Sequence, residues 1–378
     1  MAQRSTADAS STLDMETDGR TRAEIERELA AQLAALDEDD ARSAETPSPP
    51  PGAVGDHSGP IDADLGAAAT LFRHTNSLLG QSFEAVKRGD IPQLDPLQEA
   101  TRELAASLRR QPDALLTLAL LKRKNHYAYQ HSLGASILLM ALGDFQGATP
   151  AQISDLGLAG LLHDIGRMAI PDALWDKPDP FTDKERQLAR QHVPATLEML
   201  KKIPKLPKVV TEVAAWHHER LDGSGYPAGL WGEAIGPAGR MAAIVDIYDA
   251  MTTHRCYRGA VVPPLVLKTM LGQAGVQLDR DVLQAFIRCL GIYPIGSMVR
   301  LANNLLAVVI RSNREDLLFP TVRVFMDART ARRVAPYEIN LAAMRELPGG
   351  FSILKHEVPS RWGVDPVQVM PRPDYFQL

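Results

Sequence analysis

The chain has 378 residues, is 45% hydrophobic, and sets 41 basic against 46 acidic side chains for a formal charge of −5. That size and apolar content allow a sizeable core, in two or three domains or in one large helical domain with tails. The charge balance lacks the basic block expected of a duplex nucleic-acid binder. Two cysteines, Cys256 and Cys289, are too few for a disulfide framework and too far apart for a CxxC metal site, which points to a reducing compartment. The first residues lack the apolar core of a signal peptide, and no apolar run is long enough to span a bilayer, so a soluble cytoplasmic protein is expected.

Residues 1–20 are small, polar and aperiodic and read as disordered. Ile25, Leu29, Leu33 and Leu36 form a helical stripe over Thr21–Leu36. An acidic, then Pro-rich linker follows to about residue 60. Helices are expected over 62–88, 95–110, 112–124 and 126–143, and from Pro150 to His163–Asp164. Thr182 with Glu185 makes a capping box for a helix running through His192 to about Lys202. Pro207 opens a helix ending in His217–His218, and Pro237 one carrying Asp246 and Asp249. Helices near 263–274 and 279–290 complete the set. Residues 297–301, 305–311 and 321–326 then read as a small antiparallel sheet, with one or two more strands in 334–358 and a Pro-rich tail from Pro359. The expected fold is mainly α, a helical bundle with a small C-terminal antiparallel β extension. Its divisions are 1–60, a helical 61–124, a core at 125–295, and 296–378.

Of ten histidines, His131, His163, His192, His217 and His218 lie in central helical segments with apolar neighbours. One such histidine is ordinarily a core or surface residue. Five together with Asp164 and Asp246 suit Fe, Mn or Zn, and the absence of coordinating cysteine favours a multi-metal hydrolytic centre over a structural zinc site. A carboxylate can bridge two metals and an imidazole cannot, so Asp164 is the natural bridge, and a water shared by two cations becomes a nucleophile near neutral pH. The stretch HHERLDGSGYP, from His217 to Pro227, joins two of these histidines to a glycine-rich turn.

The strings YQHS (Tyr129–Ser132), LLHDIGRMAIPD (Leu161–Asp172), RQHVP (Arg190–Pro194), HHERLDGSGYP, IVDIYDAMTTHRCYR (Ile244–Arg258) and GIYPIGSMVRL (Gly291–Leu301) resemble the HD-GYP family, metal-dependent phosphodiesterases of bacterial cyclic dinucleotide signalling. The resemblance covers roughly residues 110–330. It implies a helical bundle holding two divalent metals, Fe or Mn first, with Zn, Ni or Mg as alternatives. His131, His163, Asp164 and Asp246 resemble the ligands of one metal; Asp164, His192, His217 and His218 resemble those of the other. The implied activity is hydrolysis of cyclic di-GMP to linear pGpG, which some members of the family carry onward to GMP. Diguanylate cyclases and a second copy of the chain are the implied partners.

Arg167, one helical turn beyond His163–Asp164, can reach the scissile phosphate, and Arg255 and Arg258 can clamp the second one. Tyr226 offers either a stacking face or a scaffold for the turn. Gly223 and Gly225 permit φ > 0 or close backbone approach before Pro227. Asp222 holds the turn or contacts guanine, and Glu219 and Asp249 read as orienting or structural groups. Two positions depart from the family. Tyr127 stands where some members place a glutamate for a third metal. Arg167 replaces the usual lysine, which keeps charge but not geometry. These departures motivate a competing reading, a cyclic dinucleotide receptor or interaction module with little turnover. A one-metal HD phosphohydrolase ranks third.

Overall fold

The computed structural model describes residues 60–121, 127–253, 261–346 and 350–376, without the side chains of residues 60–63, 127 and 128. Every described residue belongs to one compact unit of the chain. The expected Thr21–Leu36 helix, the linker, the Tyr127 side chain, Arg255, Cys256 and Arg258 lie outside the described residues.

Helix α1 (Pro60–Lys87) buries Leu65, Ala68, Ala69, Phe72, Leu79, Phe83 and Val86. Their spacing of three, four and seven makes one apolar face. Each fully buried Leu or Phe there contributes roughly 1.5–3 kcal/mol. Helices α2 (Leu94–Arg110) and α3 (Pro112–Leu120) follow. Helix α4 (Tyr127–Phe145) is the axis of the bundle, since every described residue from Gln130 to Gly143 is buried. Helix α5 (Pro150–Leu162) lies against it, where the Ser136 hydroxyl donates to the Gly157 carbonyl at 2.8 Å. Thr149 starts α5 with a capping box to Gln152.

Past α5, a 3₁₀ turn (Ile165–Ala169) and short helix α6 (Asp172–Trp175) lead to α7 (Asp183–Arg190), capped by Thr182 and Glu185 as expected. The single helix expected through His192 is instead two, because α8 (His192–Leu200) starts afresh after Gln191. Pro194 has no N–H to extend α7, but it is tolerated in the first turn of a new helix. Helices α9 (Lys208–Trp216), α10 (Pro237–Thr252), α11 (Pro263–Leu271) and α12 (Arg280–Leu290) close the bundle. Among the described residues, no helix is long and apolar enough to cross a membrane.

The C-terminal part is an antiparallel sheet in the order β4-β3-β2-β1-β5. Its strands are β1 (Met298–Leu301), β2 (Leu305–Arg311), β3 (Thr321–Asp327), β4 (Arg332–Asn340) and β5 (Ile353–His356). Met298 pairs with Val308, Leu306 with Met326, and Val324 with Tyr337. Strand β2 is buried from Leu305 to Ile310, as suits a central strand covered on both faces. Helical bundle and small antiparallel extension are therefore both present.

Candidate metal centre

Three helix ends and two helix interiors deliver the site. His131 comes from the first turns of α4 and Asp246 and Asp249 from the middle of α10. His163 and Asp164 directly follow α5, His192 opens α8, and His217–His218 follow α9. Gly166 lets the 3₁₀ turn reach α8, since a Cβ there would sit 2.2 Å from the His192 carbonyl oxygen. Its N–H donates to Thr196 Oγ1 at 2.9 Å, which ties Asp164 to the helix of His192.

The histidines are aimed through their Nδ1 atoms. His163 donates to the Gly160 carbonyl at 2.8 Å, His192 to Ala189 at 2.7 Å, and His217 to Ala214 at 3.0 Å. His131 donates instead to Asp249 Oδ2 at 2.7 Å. Anchoring Nδ1 fixes the ring and leaves Nε2 as a lone-pair donor facing inward, as metal-binding imidazoles require.

Asp164 stands between the rings with its two oxygens turned to different partners. Oδ1 faces His192 Nε2 at 3.2 Å and His217 Nε2 at 3.7 Å. Oδ2 faces His131 Nε2 at 3.6 Å and His163 Nε2 at 3.9 Å. Asp246 also spans two rings, with Oδ1 3.4 Å from His131 Nε2 and Oδ2 3.2 Å from His218 Nδ1. The expectation gave Asp246 to one side only; the distances put it between both. Two triads have ligand atoms within 4.8 Å of one another: His131, His163 and Asp164, and His192, His217 and His218.

Oδ1 of Asp164 is buried and accepts no hydrogen bond. A buried carboxylate oxygen without a donor is costly, and a cation shared with the facing imidazoles would remove the cost. The residues therefore fit a metal pair. Burial pushes His163 and His217 down and lowers His192 to about 4, so these rings are neutral near pH 7. Burial opposes the charge of His131 too, but Asp246 and Asp249 hydrogen-bond to it and raise it to about 9. Burial also opposes charge on Asp164 and Asp246, yet the surrounding histidines, with Arg167 beside Asp164, hold both well below the usual carboxylate range.

The GYP turn closes over this centre. Glu219, buried, accepts the N–H groups of Ala228 at 2.8 Å, Gly229 at 3.2 Å and Leu230 at 3.0 Å. It is thus the anchor of the turn. Asp222 accepts from the Ser224 N–H at 3.0 Å and pairs across the turn with Trp231, so its contacts are those of a turn holder. Gly223 has φ of +73°, and a Cβ on Gly225 would lie 2.5 Å from the Arg220 nitrogen. Either position would be strained with a side chain. Tyr226, joined to Pro227 by a cis peptide, stacks on His218 at 4.6 Å and carries the Arg190 guanidinium on its ring at 4.6 Å.

Arg167 is buried, with Nη1 donating to Asp164 Oδ2 at 3.1 Å. Its guanidinium lies 4.1 Å above the Trp175 ring. Sequence reading missed Trp175 and the placement of Arg190. Trp175 follows the HDIG string closely, but an aromatic in a short loop helix has no periodic signal to mark it.

A helical bundle whose helix ends converge on two groups of histidines bridged by aspartates defines a His/Asp metal-centre domain. The HD domain family model matches residues 116–282, the stretch that carries both groups of histidines. A cyclic di-GMP phosphodiesterase of Pseudomonas aeruginosa is 36% identical over 270 residues, 71% of this chain and 65% of that protein. A 3′3′-cGAMP-specific phosphodiesterase of Vibrio cholerae is 34% identical over 46% of this chain and 41% of its own length. The chain thus spans a little under two thirds of the first relative and less than half of the second. A solved HDG"Y"P protein from Bdellovibrio bacteriovorus aligns over 61% of this chain and 73% of its own, at 16% identity and a TM-score of 0.48, a likeness too low to build on.

Proposed function

We propose that this chain is a two-metal phosphodiesterase that opens cyclic di-GMP to linear pGpG. The observation that supports this most is Asp164, whose Oδ1 and Oδ2 face separate pairs of imidazoles. His131, His163, Asp164 and Asp246 would hold one ion, and Asp164, His192, His217 and His218 the other. Imidazole and carboxylate donors without thiolate favour Fe or Mn. Divalent ions there would lower the pKa of a bound water and offset phosphate charge. Arg167, already beside Asp164, would take a phosphate oxygen, while Arg255 and Arg258 would clamp the second phosphate. Tyr226 would wall the site and fix His218, and Pro227, Gly225, Gly223 and Asp222 would shape the turn over the substrate. The similarity to phosphodiesterases acting on cyclic di-GMP and on cGAMP supports the substrate class.

The test is product identification from cyclic di-GMP after loading with Mn or Fe, alongside a metal count. Two ions per chain and linear product are expected. One ion per chain would favour the generic HD phosphohydrolase. No product from any cyclic dinucleotide, with binding still seen by calorimetry, would favour the receptor reading, which the Arg167 replacement supports. A diguanylate cyclase partner is also proposed, at the turn where Trp231 is 69% exposed. A pull-down unaffected by changing Gly225–Pro227 would reject it. Sedimentation would test self-pairing.

A further inference from the structure

We propose that Trp175 is the positioning residue for Arg167, holding its guanidinium on Asp164 so that the phosphate-facing donors are set before substrate binds. The proposal rests on the phosphodiesterase reading for its consequence, but the contact itself stands on geometry. Arg167 is gripped from two sides. Its Nη1 donates to Asp164 Oδ2 at 3.1 Å, and its Cζ lies 4.1 Å from the Trp175 ring centroid. A planar guanidinium makes both contacts at once, an N–H edge on the carboxylate and its flat face on the indole, which the compact ammonium of lysine does not reproduce in geometry.

Trp175 is itself fixed. Its ring meets Phe181 edge-on at 6.3 Å and packs on the small core of Ile170, Leu174 and Ala189. It also meets His192 at 6.3 Å and 77°. One indole thus touches the group on Asp164 Oδ2 and the ring facing Asp164 Oδ1. The choice of tryptophan needs a reason, because its Nε1 is buried and finds no hydrogen-bond partner. Leucine or phenylalanine would fill the apolar niche without that cost. What indole adds is the most electron-rich face among aromatic side chains, which is the face a cation seeks. A guanidinium fixed in this way loses little freedom when it meets phosphate, and this prior orientation lowers the barrier.

Two measurements test this, and they fail separately. In metal-free protein, Arg167→Met is expected to shift the tryptophan emission, and the shift is expected to vanish in a Trp175→Phe background. This holds whether or not the chain is a phosphodiesterase. An equal shift in both backgrounds, or none in either, overturns the contact. In metal-loaded enzyme, Trp175→Leu is expected to lower kcat roughly three- to thirtyfold, the rate equivalent of a buried cation–π contact, at unchanged metal content. Trp175→Phe is expected to recover most of that loss, which separates positioning from misfolding. In an Arg167→Lys background, Trp175→Leu is expected to cost less than about threefold, because the partner it positions is gone. The same loss in both backgrounds, a loss that follows metal content, or an unchanged rate in Trp175→Leu overturns the positioning role.

Discussion

The histidines facing Asp164 are held by two different means. His192 and His217 on the Oδ1 side, and His163 on the Oδ2 side, hang from backbone carbonyls of the helical turn before them. His131 is held instead by the carboxylate of Asp249, 118 residues further along. All four rings are almost fully buried. Burial lowers His192 to about 4, while the two carboxylates that hydrogen-bond to His131 outweigh burial and raise it to about 9. The same side chain at the same depth is thus shifted in opposite directions according to whether carboxylates hydrogen-bond to it, as Asp246 and Asp249 do to His131, or burial dominates, as at His192. The Oδ1 side therefore depends on local helix geometry alone, while the Oδ2 side adds to that, for His131, the long-range packing of α4 on α10.

The largest break in this comparison removes what the sides share. Asp164→Ala is expected to abolish binding of both ions and to reduce metal-dependent hydrolysis by roughly a thousandfold or more, checked by elemental analysis and product assay. Asp249→Asn acts on one side. It keeps an acceptor for His131 but removes a charge, and is expected to weaken one ion by roughly ten- to a hundredfold while the other remains. In the metal-free protein, imidazole NMR should show His131 protonated at pH 8 in wild type, where the pH lies below its raised pKa. Asp249→Asn should move that titration toward neutral pH. His192 should stay neutral down to about pH 5, above its lowered pKa, in both proteins.

Glu219→Gln should loosen the turn over the site without touching either set of Nδ1 anchors. It replaces a charged acceptor of three backbone N–H groups and is expected to cost about 2 kcal/mol in urea unfolding. Thr182→Ala is the mildest change. It removes the cap of α7, the helix whose Ala189 carbonyl holds His192, and is expected to cost about 1 kcal/mol of stability with His131 unaffected.

Much of this was legible without coordinates. The α1 stripe from Leu65 to Val86 has a helical period, and Thr182 with Glu185 is a local hydrogen-bonding device, so short-range pattern suffices to place both. The strands at 298–301 and 305–311 follow from runs of apolar and β-branched residues between turns. The break at Gln191 was less legible, because Pro194 is compatible with either the interior kink of one helix or the first turn of another. Trp175 was not legible at all, since its partner Arg167 is close in sequence but the contact depends on how the 3₁₀ turn folds back on α6.

The order of the HD, HHE and GYP strings, carried by local spacing, determined which residues meet and that carboxylates and imidazoles would dominate the site. Tertiary structure alone decided which oxygen faces which ring, that Asp246 as well as Asp164 lies between the two groups, and that the pKa of His131 is raised where that of His192 is lowered. Those properties arise from distances of a few ångströms between side chains far apart in the chain, and in a buried site such distances set both direction and charge.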